Sequence, residues 1–289
     1  MKNIFFINKI NYVVLIIFVS LFFIKINKSS AQEKLTLNFE QITVNLEGNF
    51  IQGGLVKGKV IPNKEIKFEN RILRKDSNGN FVIGFGRDYK KNAYFELKID
   101  DKKWLKKSFK IKKRTYNTQT INGLQKKMVT PPKSFYDRIN RENKSIKLIR
   151  NLNSEIDYVF QQFIWPNKGI ISGVFGSQRI LNGKPRRPHY GVDIAAKNGS
   201  PVLSPTDSIV RMAENDLYFT GGTIMLDHGH GVISVYSHLS EIKVKVGDKV
   251  FKGQKIAEVG STGRSTGPHL DWRVNWFNQR LDPALLINE

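Results

Sequence analysis

Cysteine is absent from the 289 residues. No disulfide can brace the fold, and any metal site must be built from nitrogen and oxygen ligands. Acidic side chains are scarce as well: 25 Asp and Glu stand against 47 Lys and Arg, a formal net charge of +22. There is no internal repeat and no low-complexity tract, and beyond residue 31 no apolar run is long enough to cross a bilayer. What is present suits a folded protein: 40% hydrophobic and 11% aromatic residues. The length allows two modest domains, each able to bury a core.

The apolar run at the start reads as a targeting segment. Lys2 and Lys9 make a weakly positive beginning, Tyr12 to Ile24 is apolar, and small residues stand at Ser29 and Ala31. This pattern predicts a signal peptide over residues 1–31, cut after Ala31. An uncleaved anchor is the alternative, but the run is shorter than the roughly twenty residues a span requires. Export to the periplasm changes how the charge is read. The basic excess lies mainly in residues 32–163, and an exported protein meets anionic envelope polymers and lipid surfaces rather than nucleic acid. A simple solvated face is the other reading.

Residues 32–132 read as short strands. Leu35 to Phe39 and Ile42 to Leu46 alternate, and turn signals at Gly53-Gly54, Pro62-Asn63 and Ser77 to Asn80 separate the runs. Strands at this spacing predict a small immunoglobulin-like β-sandwich, an accessory or wall-binding module with nothing catalytic in it. Pro131-Pro132 closes it. Over residues 133–164 the period becomes helical: Phe135, Ile139, Ile146, Ile149, Leu152, Ile156, Val159, Phe160 and Phe163 recur at threes and fours, predicting an amphipathic helix to about Phe163. Trp165-Pro166 stops it, and residues 165–289 return to strands and glycine turns. The fold expected is therefore mainly β: a sandwich, a helical linker and an antiparallel C-terminal sheet.

All five histidines lie between 189 and 269. His269 and Asp271, one residue apart, point to the same side of a strand. Tyr236 to Leu239 set His238 on or beside another. His189 and Asp193 have helical spacing, yet Pro188, Gly191 and the β-branched Val192 and Ile194 oppose a helix. In a fully extended strand they stand roughly 13 Å apart, too far to share an ion. The chain must bend near Gly191, where glycine makes a bend cheap.

His189-Tyr-Gly-Val-Asp193, Tyr236-Ser-His238-Leu and His269-Leu-Asp271, in that order, resemble the signature of lysostaphin-type (LytM-like) zinc endopeptidases of bacterial peptidoglycan. Gly173-Val-Phe-Gly176, Gly191-Val-Asp-Ile-Ala195, Val246-Gly-Asp-Lys-Val250 and Gly260-Ser-Thr-Gly263 match the same family. The likeness covers residues 165–289, and the preceding part is similar to accessory regions of Gram-negative members. The resemblance implies a lysostaphin-type catalytic sheet with His189 and Asp193 as metal ligands and His238 and His269 as catalytic histidines, either able to take either role. The third ligand position, a histidine in the family, is Asp271 here. Carboxylate oxygen binds zinc, so coordination survives, but two carboxylates leave the site near neutral and its water less acidified. Another divalent metal is also accommodated.

The resemblance thus implies a metal-dependent endopeptidase that hydrolyses peptide cross-links of peptidoglycan, with one Zn2+ and the wall peptides as partners. The alternative is a non-catalytic wall-binding regulator or activator of other wall hydrolases. His228 and His230 fall outside the ligand positions and read as turn or strand-end residues. The glycine-rich run Gly260 to Gly267 lacks the lysine and helix of a phosphate loop and reads as a cleft wall.

Overall fold

The computed structural model describes residues 32–287; the signal peptide expected over residues 1–31 lies outside them. Eight strands come first: β1 (Glu33–Phe39), β2 (Ile42–Gly48), β3 (Leu55–Ile61), β4 (Ile66–Phe68), β5 (Arg71–Ile72), β6 (Asn80–Gly84), β7 (Asn92–Lys98) and β8 (Trp104–Lys110). They form two antiparallel sheets, ordered β1-β2-β3-β6 and β5-β4-β7-β8. Alternation decides which face is buried: Ile42, Val44 and Leu46 of β2 point inward while Asn45 and Glu47 face solvent. Phenylalanines join the layers, Phe81 to Phe95 at 5.7 Å and Phe85 to Phe109 at 6.2 Å between ring centroids.

A short strand β9 (Thr118–Ile121) and a single helical turn α1 (Lys126–Val129) lead to helix α2 (Tyr136–Arg150). The helical period predicted a continuation to about Phe163, but the helix ends at Arg150. The residues that follow are Asn151, Asn153 and Ser154, whose polar groups compete with helical hydrogen bonds. They also find partners elsewhere: Ser154 Oγ donates to the Asp227 carboxylate at 2.7 Å, and Asn153 Oδ1 accepts from Arg74 at 3.2 Å. The apolar residues beyond still become buried, with Val159 and Phe163 in the main core. Ile146 and Ile149 of α2 pack on Met212, Leu217, Met225, Ile233 and Val235.

The remaining strands are β10 (Ile170–Gly173), β11 (Gln178–Leu181), β12 (Lys184–Arg186), β13 (Val192–Ala195), β14 (Pro201–Leu203), β15 (Ser208–Leu217), β16 (Gly221–Gly229), β17 (Val232–Ile242), β18 (Lys249–Val250), β19 (Lys255–Val259), β20 (His269–Trp276) and β21 (Gln279–Leu281). Their main sheet runs β10-β13-β20-β17-β16-β15-β18, with β21 on β20, β19 on β17 and β14 on β19. The hairpin β11–β12 accepts β9 as a parallel partner, Gln178 to Leu181 against Thr118 to Ile121.

The sandwich and this sheet share one apolar core. Phe68 meets Trp276 at 5.8 Å, Gly84 lies directly against Leu281 and Trp276, and Arg114 pairs with Asp282 at 2.7 Å. Among the described residues, no helix is long and apolar enough to cross a membrane.

Candidate metal centre

Strands β13, β20 and β17 lie side by side and bring the polar residues of three separate segments together. Asp193 of β13 is the register partner of Asp271 of β20, and Asp271 is in turn opposite Ser237 of β17. His189 precedes β13 in a stretch tied at both backbone groups: its N–H donates to Ser177 O and its carbonyl accepts from Gly176 N, each at 2.8 Å. The bend expected at Gly191 is there. A Cβ on that residue would sit 2.5 Å from the Trp272 carbonyl oxygen and from Arg273 Cγ, so only glycine lets the two segments close up. As a result His189 Nε2 comes within 3.2 Å of Asp193 Oδ1.

His238 reaches the same place by a different route. Plain alternation would set it on the side of Tyr236, which is buried in the apolar core. Instead the pairing between β16 and β17 shifts register in this stretch, and His238 takes a positive φ of 67°. Its N–H donates to Thr220 O at 2.8 Å. The imidazole thereby lies 4.7 Å from that of His269, centroid to centroid.

The tautomers of this pair follow from their acceptors. His238 Nδ1 donates to Thr262 O at 2.7 Å, and His269 Nδ1 to Gly267 O at 2.9 Å. A carbonyl can only accept, so each neutral ring keeps its proton on Nδ1 and presents a bare Nε2. Burial pushes the His238 imidazole down to about 4, against the opposing pull of Asp271. It is therefore uncharged at neutral pH. Both donors' acceptors lie in the Gly260 to Gly267 loop, which supports one side of the site.

One imidazole nitrogen and a carboxylate oxygen from each of His189, Asp193 and Asp271 all lie within 4.8 Å of one another, and all three residues are buried. His189 Nε2 is buried and makes no hydrogen bond of good geometry, although Asp193 Oδ1 stands 3.2 Å away. Such an atom is costly unless something occupies its lone pair. An imidazole and two carboxylates form a donor set that suits a divalent cation. Like charges on paired strands repel, and burial alone would hold both carboxyls neutral. Two arginines offset this: Arg179 donates to Asp193 Oδ2 at 2.6 Å, while Arg273 Nε donates to Asp271 Oδ1 at 2.9 Å with a second nitrogen on Oδ2. Asp193 is held far below the usual carboxylate range, against its burial, by His189 and Arg179. Asp271, against a similar penalty, is held down by Arg273.

All five residues singled out from sequence thus converge, and none is left outside. His228 and His230 stay apart, as expected: His228 Nε2 bonds Ser234 Oγ at 2.7 Å and His230 Nε2 bonds Asp157 at 2.8 Å. Arg179, Arg273 and Ser237, whose buried hydroxyl has no hydrogen-bond partner, were not foreseen. For Arg273 a signal existed, since two residues beyond Asp271 on a strand is the same face. For Arg179, contributed by the separate hairpin, there was none.

Known proteins match the part of the chain that carries this site. Residues 187–283 match the model of peptidase family M23. An uncharacterized metalloprotease of Buchnera aphidicola is 32% identical over 75% of this chain and 50% of its own length. The peptidoglycan DD-endopeptidase ShyA of Vibrio cholerae is 40% identical over 40% of this chain and 27% of its own. The chain thus spans half or less of these relatives. A solved structure described as a putative peptidase M23 from Pseudomonas aeruginosa covers 82% of this chain and 94% of its own at a TM-score of 0.63 and 24% identity, a likeness of fold. The part of the chain that carries the five converging residues belongs to peptidase family M23.

Proposed function

We propose that this protein is an exported, metal-dependent endopeptidase that hydrolyses peptide cross-links of peptidoglycan, with His189, Asp193 and Asp271 holding one Zn2+ and His238 and His269 acting on the substrate. The observation that carries the proposal is the buried convergence of three ligand atoms beside two imidazoles whose bare Nε2 atoms are fixed by backbone acceptors. A zinc ion bound there supplies Lewis-acid polarisation of the scissile carbonyl and acidification of the attacking water. The chain's own groups do the rest. His238, neutral and with an acceptor nitrogen, would take the proton of the attacking water and pass it to the amine nitrogen as the C–N bond breaks. His269 stands beside it and, when Nε2 also carries a proton, donates that N–H to the carbonyl oxygen and steadies its charge. Both rings are held at Nδ1, so little reorganisation accompanies the step.

The wall as substrate is supported by the named activity of the Vibrio relative and by a basic surface that suits an anionic envelope. On β8, Lys106, Lys107 and Lys110 are exposed, and Lys106 Nζ lies 3.5 Å from the Tyr94 ring. Working in the periplasm follows from that substrate.

The test is to incubate the purified protein with peptidoglycan sacculi, with and without a chelator, and to resolve the released fragments by chromatography. Chelator-sensitive loss of cross-linked dimers, restored by Zn2+, is the expected result. Tight binding to sacculi without cleavage under any divalent metal would overturn the proposal in favour of a wall-binding regulator.

A further inference from the structure

We infer that Asp271 and Arg273 act as a single ligand unit of zero net charge, contributing to the metal site the charge that a neutral imidazole at the position of Asp271 would contribute. The inference rests on the metal site proposed above and specifies how this chain builds it. Compared with a neutral imidazole in the same place, an aspartate differs in two ways: the ligand atom is oxygen rather than nitrogen, and the charge is minus one rather than zero. The first is tolerated by zinc. The second alone would double the negative charge of the ligand set, since Asp271 then carries half of it, and so weaken the polarising power of the ion.

The geometry around Asp271 answers that second change. Arg273 is two residues along the same strand and therefore on the same face. Its Nε donates to Oδ1 at 2.9 Å and to Oδ2 at 3.1 Å, and a terminal nitrogen completes the fork on Oδ2. The Asp271 side chain is 4% exposed and that of Arg273 is 28% exposed, so the carboxylate is inside and the arginine covers it. A carboxylate offers about four lone-pair directions. Arg273 engages Oδ2 twice and Oδ1 once, which leaves Oδ1 free to bind an ion. Gly191 backs both members, its position being the one where a Cβ would strike Arg273 Cγ at 2.5 Å and Asp271 Oδ1 at 2.9 Å. The pair is thus locked as a unit, and a guanidinium keeps its charge at any working pH. Arg273 is a positioning residue that works through Asp271.

If charge balance is the role, zinc affinity must depend on the two positions jointly. Zinc dissociation constants are measured by competition with a chromophoric chelator, and each variant's fold is checked by circular dichroism. Asp271→His and Asp271→Asn both strand the Arg273 cation beside the ion and are expected to weaken Zn2+ at least about tenfold. Adding Arg273→Met to either removes the stranded charge and is expected to recover most of that loss. Arg273→Met alone leaves an unbalanced carboxylate and is expected to tighten Zn2+ severalfold, whereas Arg273→Lys stays near wild type. The inference is overturned if the double variants bind no better than the Asp271 singles, or if Arg273→Met loosens Zn2+, the behaviour of a plain structural brace. Should one Asp271 variant fail to fold, the other completes the cycle. Wild-type protein that binds no Zn2+ would instead defeat the metal site itself.

Discussion

His238 is held by a register shift and a positive φ, and its ring bonds to a loop carbonyl rather than to solvent. On the proposed reaction its role is proton transfer, so His238→Ala should lower kcat by about 10^2 to 10^4-fold. Bound zinc, assayed by atomic emission, should stay at wild-type level because His238 is outside the ligand set. A parallel loss of metal would assign it to coordination instead. Another histidine reports on stability. Burial pushes His228 down to about 4 from its ordinary 6.5. The unfolded chain binds a proton near 6.5 and the folded chain only near 4, so the unfolded state holds more protons between those values. The stabilising contribution is complete above pH 6.5 and is lost as the pH falls toward 4, up to about 3 kcal/mol. His228→Gln should reduce the slope of unfolding free energy against pH by one proton in that window, measured by urea titration at several pH values. At this scale the sequence was informative: the five site residues carry their spacing with them. Arg179 was not legible because its meeting with Asp193 depends on how a separate hairpin folds back, which no local spacing encodes.

At the scale of elements, strands were easier to read than ends. Alternation in β2 follows directly from side chains that are either wet or dry. The helix was read too long because its period persists in Ile156, Val159 and Phe163 after hydrogen bonding has ended at Arg150. Val159 and Phe163 are buried and Ile156 half-buried for their own reasons, in a segment that Ser154 and Asp227 hold away from helical geometry. Apolar spacing records burial, and burial need not be helical. The pairing of β9 with β11 was invisible for a similar reason: it is parallel and joins residues far apart in sequence. The turn into β13 is where an element-level change should be most damaging. Gly191→Ala adds a methyl that meets the Trp272 carbonyl and Arg273. Overpacking of this kind costs about 1–3 kcal/mol. The expected outcome is a lower melting temperature together with weaker zinc binding, read by calorimetry and chelator competition. Melting unchanged with zinc binding unchanged would show that the segments can separate freely.

For the whole molecule, the decisive feature is that the sandwich and the large sheet are packed on one core rather than strung together. Composition suggested two cores, since the length permits them; whether two cores merge depends on which faces meet, and Trp276 reads the same in either case. Trp276 is 4% exposed and touches Phe68, Phe277 and the backbone of Gly84. Trp276→Ala should cost about 3–5 kcal/mol. Guanidinium unfolding followed by tryptophan fluorescence and by far-ultraviolet dichroism should give one coincident transition, shifted to lower denaturant. Two separated transitions would mean that the halves fold independently.

That seam has a practical meaning for anyone who treats the peptidase part as a portable cassette. Cutting the chain near residue 165 strips Phe68 from Trp276, Gly84 from Leu281 and Arg114 from Asp282. The graft would carry a bare aromatic patch and an orphaned carboxylate into its new host, and sticky surfaces of that kind drive chains to clump. A transplant that keeps its solubility will need the seam rewritten with polar residues, or the sandwich carried along.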